Sequence, residues 1–126
     1  MATVKWKDKP EGHDYPAAES YLGLLASSAR VADLVIEMKQ ASIGYFKAKD
    51  LLRASRLPLL DVDNAHVASD LKKVHEGTAL SPILLVRGDL DRGIALQIAD
   101  GYHRVCASYH VDENTDIPCQ IVDLPS

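Results

Sequence analysis

The chain has 126 residues, of which 47% are hydrophobic and 25% charged, the composition of one globular domain rather than a disordered tail. Its formal net charge of −4 lacks the basic surplus with which a free-standing nucleic-acid binder neutralises phosphates. No apolar run approaches the ~20 residues that cross a bilayer, and the polar opening MATVKWKDKPEGHD has no apolar signal core, so a soluble, cytoplasmic protein with no membrane partner is expected.

Residues 1–13 read as a polar lead-in whose order depends on whether Trp6 docks on the core. Asp14 followed by Pro16 marks a helix start, and Tyr21, Leu24 and Leu25 give an apolar side to a first helix over residues 16–26. Ser28 is a second N-cap candidate. Val31, Leu34, Val35 and Met38 then form a helical stripe reaching Gln40, so the two helices make a hairpin. Residues 43–48 have strand content despite Gly44, and residues 50–54 form a short helical turn with Lys47, Lys49, Arg53 and Arg56 as a basic, solvated strip.

Pro58 excludes a regular helix over residues 57–63, and Asp63-Asn64 is a capping pair for a helix from Ala65 to His75, which Gly77 stops. The buried stripe of that helix is Val67, Leu71 and Val74. Pro82 to Val86 is nearly all apolar, as in a strand covered on both faces. Residues 87–93 return the chain as an exposed loop to a strand over residues 94–99, in which Ile94, Leu96 and Ile98 alternate with smaller or polar residues. A helix stripe comes next at Tyr102, Val105, Cys106 and Tyr109, and residues 117–122 close the sheet. Cys106 lies on that stripe and Cys119 alternates with Ile117 and Ile121, so two buried thiols are expected. The five histidines have no zinc-site spacing, and no metal site is read.

The strand-to-helix passage Asp100-Gly101-Tyr102-His103-Arg104 is where chemistry is expected. A helix start leaves about four N–H groups unpaired and carries roughly half a positive charge, which suits an anion. Gly101 opens the backbone, Arg104 brings a planar donor fork and His103 a donor that titrates near neutrality. The same residues would also serve a plain ion pair between Arg104 and Asp100.

This segment, followed by Ala107, resembles the phosphate-binding Gly-x-His-Arg box of the ParB/sulfiredoxin-like superfamily. LKKVHEGTALSPILLV upstream and Ile117 to Val122 downstream resemble its helix, turn and strands. The resemblance spans roughly residues 43–122 and implies an α+β fold, a small mixed sheet with packed helices. Residues 1–42 then form a helical extension of one domain covering 1–126.

The resemblance further implies a nucleotide whose phosphates meet Gly101, Tyr102, His103 and Arg104: ATP, ADP or CTP, with magnesium. Tyr102 stands where a sulfiredoxin carries its reactive cysteine, which removes that activity. The Asp-Gly-x-His-Arg form is closer to the kinase-like members, so a nucleotide hydrolase or small-molecule phosphotransferase stays open. Such chemistry needs a base and carboxylates for magnesium, with Asp61, Asp63 and Asp100 as catalytic candidates. The alternative is a non-catalytic interaction or DNA-associated regulatory module, with or without homodimerisation. DNA is the less favoured partner, because the helix-turn-helix domain of partition proteins is not expected here and the first two helices hold only Arg30 and Lys39 as cations.

Overall fold

The computed structural model describes residues 3–124, which form five helices and one four-stranded mixed sheet, an α+β architecture. The elements run α1 (Asp14–Leu22), α2 (Ser28–Gln40), β1 (Gly44–Lys47), α3 (Ala48–Ser55), α4 (Ala65–His75), β2 (Ile83–Val86), β3 (Gln97–Asp100), α5 (Tyr102–Val111) and β4 (Asp116–Val122). The sheet order is β1-β4-β2-β3, with β4 parallel to β2 and the two outer pairs antiparallel. None of the helices among the described residues is long and apolar enough to cross a membrane.

Strand alternation sends side chains into two cores. Ile83, Leu85, Ile98, Ile117 and Cys119 face α3, α4 and α5, where they meet Leu51, Val67, Val105 and Cys106. Leu84, Val86, Ala99 and Val122 face the other way and meet Ala18, Leu22, Val31, Leu34 and Met38 of α1 and α2. The N-terminal helices therefore cover one face of the sheet over β2, β3 and β4, while Tyr45 of β1 stays exposed. The unbroken apolar run of β2 follows from this, since all four of its side chains are buried. Trp6 docks on the first core and its backbone pairs with Leu80, which ties the lead-in down. Both cysteines are free and buried.

Several boundaries differ from the sequence expectation. The first helix starts at Asp14 and ends at Leu22 instead of residue 26, leaving Leu24 and Leu25 exposed in the turn. The cap of α2 is Ser27, not Ser28, because the Ser27 hydroxyl accepts the Arg30 N–H. Of the pair before α4, Asn64 is the cap, accepting from the His66 and Val67 N–H groups, while Asp63 stays exposed. The strand expected at residues 94–99 joins β2 only from Gln97: Ile94 makes an isolated bridge with Asp89, and the Leu96 N–H bonds to the Ala54 carbonyl at the end of α3.

One irregularity positions the site. Leu84 pairs with Asp100 but Leu85 pairs with Ile98, so Ala99 is an extra residue in β3. A bulge of this kind bends its strand and re-aims the residues beyond it. Here it delivers Asp100 and Gly101 to the start of α5.

Candidate functional site

Gly101 caps α5 with φ +116°, a left-handed conformation that favours glycine. A side chain there would also collide, since an added Cβ would lie 2.3 Å from Ile83 Cδ1 and 2.8 Å from Arg104 Nη2. The turn thus needs glycine both for its backbone and for the guanidinium packed against it. Val105 is the first α5 residue whose N–H reaches back, to the Gly101 carbonyl at 3.0 Å. The N–H groups of Tyr102, His103 and Arg104 are the first-turn donors left without an intrahelical acceptor.

Beside this turn lies an open cavity of about 340 Å³ between the starts of α1 and α5 and one face of α4. Gly101, His103 and Arg104 line it together with His66, Asp70 and Lys73 of α4. Residues 66, 69, 70 and 73 fall on one side of α4, and His66, Ser69, Asp70 and Lys73 all reach the cavity. The adjoining side carries the buried Val67 and Val74. Glu11, His13 and Ser81 complete the polar wall.

Arg104 enters this wall already engaged. Its side chain is 15% exposed; Nη2 donates to Asp100 Oδ2 at 2.8 Å and Nη1 to Ser81 Oγ at 2.8 Å, with Asp14 Oδ1 at 3.5 Å. Nε is buried with no hydrogen-bond partner among the described residues. Asp14 is 2% exposed and accepts from the Ser81 hydroxyl at 2.6 Å and the Glu11 N–H at 2.8 Å. Burial works against its ionisation, yet Ser81, Arg104 and the Glu11 N–H outweigh it and hold Asp14 below the usual carboxylate range. Asp100 goes the other way: burial and the neighbouring Asp14 raise its pKa further than Arg104 lowers it. The pair therefore separates, with Asp14 the firm anion and Asp100 the readier proton acceptor.

Four of the titratable groups that line the open cavity, His66, His103, Asp70 and Lys73, stand close together on α4 and the first turn of α5. The two imidazole rings stand 4.7 Å apart, centre to centre. Burial and then His66 push the His103 pKa below its ordinary value, with Asp70 opposing them. Burial raises Asp70, although Lys73 Nζ lies 3.9 Å from its carboxylate and pulls it back. Around neutral pH, His103 is therefore a neutral imidazole able to accept a proton or to donate its ring N–H to an anion.

The structure brings Asp100, Gly101, His103 and Arg104 together at the cavity but not the remaining sequence candidates. The Tyr102 hydroxyl donates to the Pro58 carbonyl and its ring packs on the first core, and Tyr102 is not among the residues that line the cavity. Asp61 and Asp63 are exposed and neither lines the cavity, which removes the geometric basis for giving them catalytic or magnesium-holding roles. Their segment is held on another side of α5 by Tyr102 and by His110, whose Nε2 lies 2.7 Å from the Leu60 carbonyl. Among the described residues no cluster of three or more His, Cys, Asp or Glu side chains is arranged to hold a metal ion.

Sequence reading missed Asp14, Ser81 and the α4 face. The signal for α4 was present, because His66, Ser69, Asp70 and Lys73 recur at helical spacing beside the apolar stripe. No comparable signal linked Asp14 or Ser81 to Arg104. Comparisons of the chain with family models, with curated proteins and with solved structures find no match.

Proposed function

We propose that the protein binds a phosphorylated small molecule, a nucleotide foremost, at the amino end of α5. One arrangement carries this: Gly101, the first-turn residues His103 and Arg104, whose N–H groups have no intrahelical acceptor, and His66 and Lys73 of α4 all border one open polar cavity. An anion there meets the positive end of the helix and exchangeable donors. The resemblance of residues 100–104 to the ParB/sulfiredoxin-like phosphate box supports the same location.

Arg104 takes a different part from the expected phosphate grip. With two carboxylates and Ser81 as partners, it holds the turn and lends positive charge from behind the wall. Phosphate contact then falls to the N–H groups of residues 102–104, to His103 and to Lys73. Magnesium arriving with a nucleotide would draw on Asp70, Glu11 or Asp100, the carboxylates on the cavity wall. Should phosphoryl chemistry accompany binding, His103 is the titratable side chain at hand to move a proton.

The test is calorimetric titration of ATP, ADP, CTP, GTP and inorganic phosphate, with and without magnesium, into wild type and Lys73→Ala. Lys73 is half exposed, so its truncation leaves the fold intact. One or more ligands should bind wild type, and Lys73→Ala should weaken that binding roughly tenfold, the equivalent of a charge-assisted hydrogen bond of about 1.5 kcal/mol. No binding at millimolar concentration would end the proposal.

A further inference from the structure

A second cleft, of about 580 Å³, lies on the same face of the sheet as α3 but apart from the polar cavity. Its floor takes one side chain from each strand region, Phe46 of β1, Ile121 of β4, Leu85 of β2 and Leu96 just before β3. Helix α3 walls one side and the segment 87–96 the other, joined where the Leu96 N–H bonds to the Ala54 carbonyl at 3.1 Å. An apolar floor of this size is within the range of small-ligand sites.

Three guanidinium groups border the cleft, those of Arg53, Arg56 and Arg87. Arg53 is paired with Asp50 and Arg87 with Asp123, each at 2.7 Å. Arg56 differs from both. Among the described residues it has no carboxylate within ion-pair distance, and its one side-chain hydrogen bond runs from Nη1 to the Gly93 carbonyl at 3.5 Å, across the mouth. Its backbone is also the one positive-φ position outside glycine among the described residues, at φ 58°. A helix end in this conformation ordinarily takes glycine, and a bulky residue there is strained. Arg56, without a carboxylate partner, thus lines the same cleft as the apolar side chains of its floor.

We propose that this cleft binds a small amphiphilic carboxylate, its apolar body on Phe46, Leu96 and Ile121 and its anionic head on Arg56. Charge complementarity selects the head: acids at the rim, Asp50 and Asp89, already have arginine partners, so the charge left over is positive. The apolar floor selects the body. A free fatty acid of medium chain length has both features.

The experiment titrates hexanoate, octanoate and decanoate, below their micellar concentrations, into the full chain by calorimetry, with octylammonium and octyl glucoside as cationic and neutral controls. Affinity should rise roughly three- to fourfold per added methylene and exceed that of both octyl controls. Arg56→Gly should weaken decanoate binding ten- to a hundredfold while the melting temperature holds or rises, because glycine relieves the left-handed strain. Ala54→Trp, on the exposed wall of α3, should block the cleft; should that variant fail to fold, Arg56→Gly decides alone. Absence of decanoate binding, equal binding of octylammonium, or binding indifferent to Arg56 overturns the proposal. So does self-association of the ligand-free protein that Arg56→Gly abolishes, which would assign the cleft to a second copy of the chain.

Discussion

Asp14 and Arg104, 90 residues apart in sequence, meet behind the polar cavity, bridged by a Ser81 hydroxyl that accepts from the guanidinium at 2.8 Å and donates to the carboxylate at 2.6 Å. The contact joins α1 to the first turn of α5 and the approach to β2. The N-terminal helices are thereby part of the site's construction as well as half of the core.

Removing one member of a buried ion group leaves the others uncompensated, which costs more than the group contributes relative to an apolar replacement. Arg104→Ala should destabilise the fold by about 3–5 kcal/mol at neutral pH, read from urea unfolding. Loss of ligand binding in this variant would result from the damaged turn. Lys73 and His103 variants are the cleaner probes of contact.

The opposite shifts of the two aspartates give opposite pH signatures. Asp14 is held below its unfolded value of 3.8, so its contribution is present above that pH and disappears as pH falls through the folded pKa. Asp100 is raised above 3.8, so its ionisation costs stability as pH rises through the folded pKa. At pH 7, Asp14→Asn should lose about 1.5–3 kcal/mol, the range for a charged hydrogen bond, and Asp100→Asn distinctly less. Unfolding of both variants at pH 7 and near pH 3.5 checks this, with the Asp14→Asn deficit shrinking at the lower pH.

Gly101→Ala brings a methyl group to 2.3 Å from Ile83 Cδ1 in a backbone conformation that L-residues rarely adopt. A loss of roughly 2–4 kcal/mol is expected from adding that strain to overpacking. Thermal unfolding measures it, and Gly93→Ala is the control, since it has positive φ but open space around the added methyl.

A phosphate beside His103 stabilises the imidazolium, reversing the downward push of burial and His66. Binding should therefore take up a proton, and affinity should rise as pH falls through the region below 6.5. Calorimetry in buffers of different ionisation enthalpy reads the proton count, which should drop in His103→Gln.

Local signals were legible where one physical cause dominates. The α4 boundaries, Ala65–His75, come from the Asn64 cap and from Gly77 at φ +76°, and the β2 run announces burial on both faces. Competing causes hid the rest. Leu24 and Leu25 extend the helical pattern of α1 but face water, and Leu96 continues the alternation of β3 while its N–H serves the end of α3. At the site, Gly101, His103 and Arg104 stand in one short segment, whereas Asp14 is brought to them by the packing of α1 on the sheet and Ser81 by the pairing of β2 with β3. Pairings over 67 and 90 residues leave no periodic trace in the chain.

The central claim, an anion site on the first turn of α5, is tested most directly by tracking ¹⁵N-labelled backbone amides during titration with inorganic phosphate, ATP and CTP. The largest shifts should fall on Gly101, Tyr102, His103 and Arg104, with smaller ones on His66 and Lys73. Amides 101–104 that stay in place while others move, or a spectrum unchanged at millimolar ligand, would contradict it.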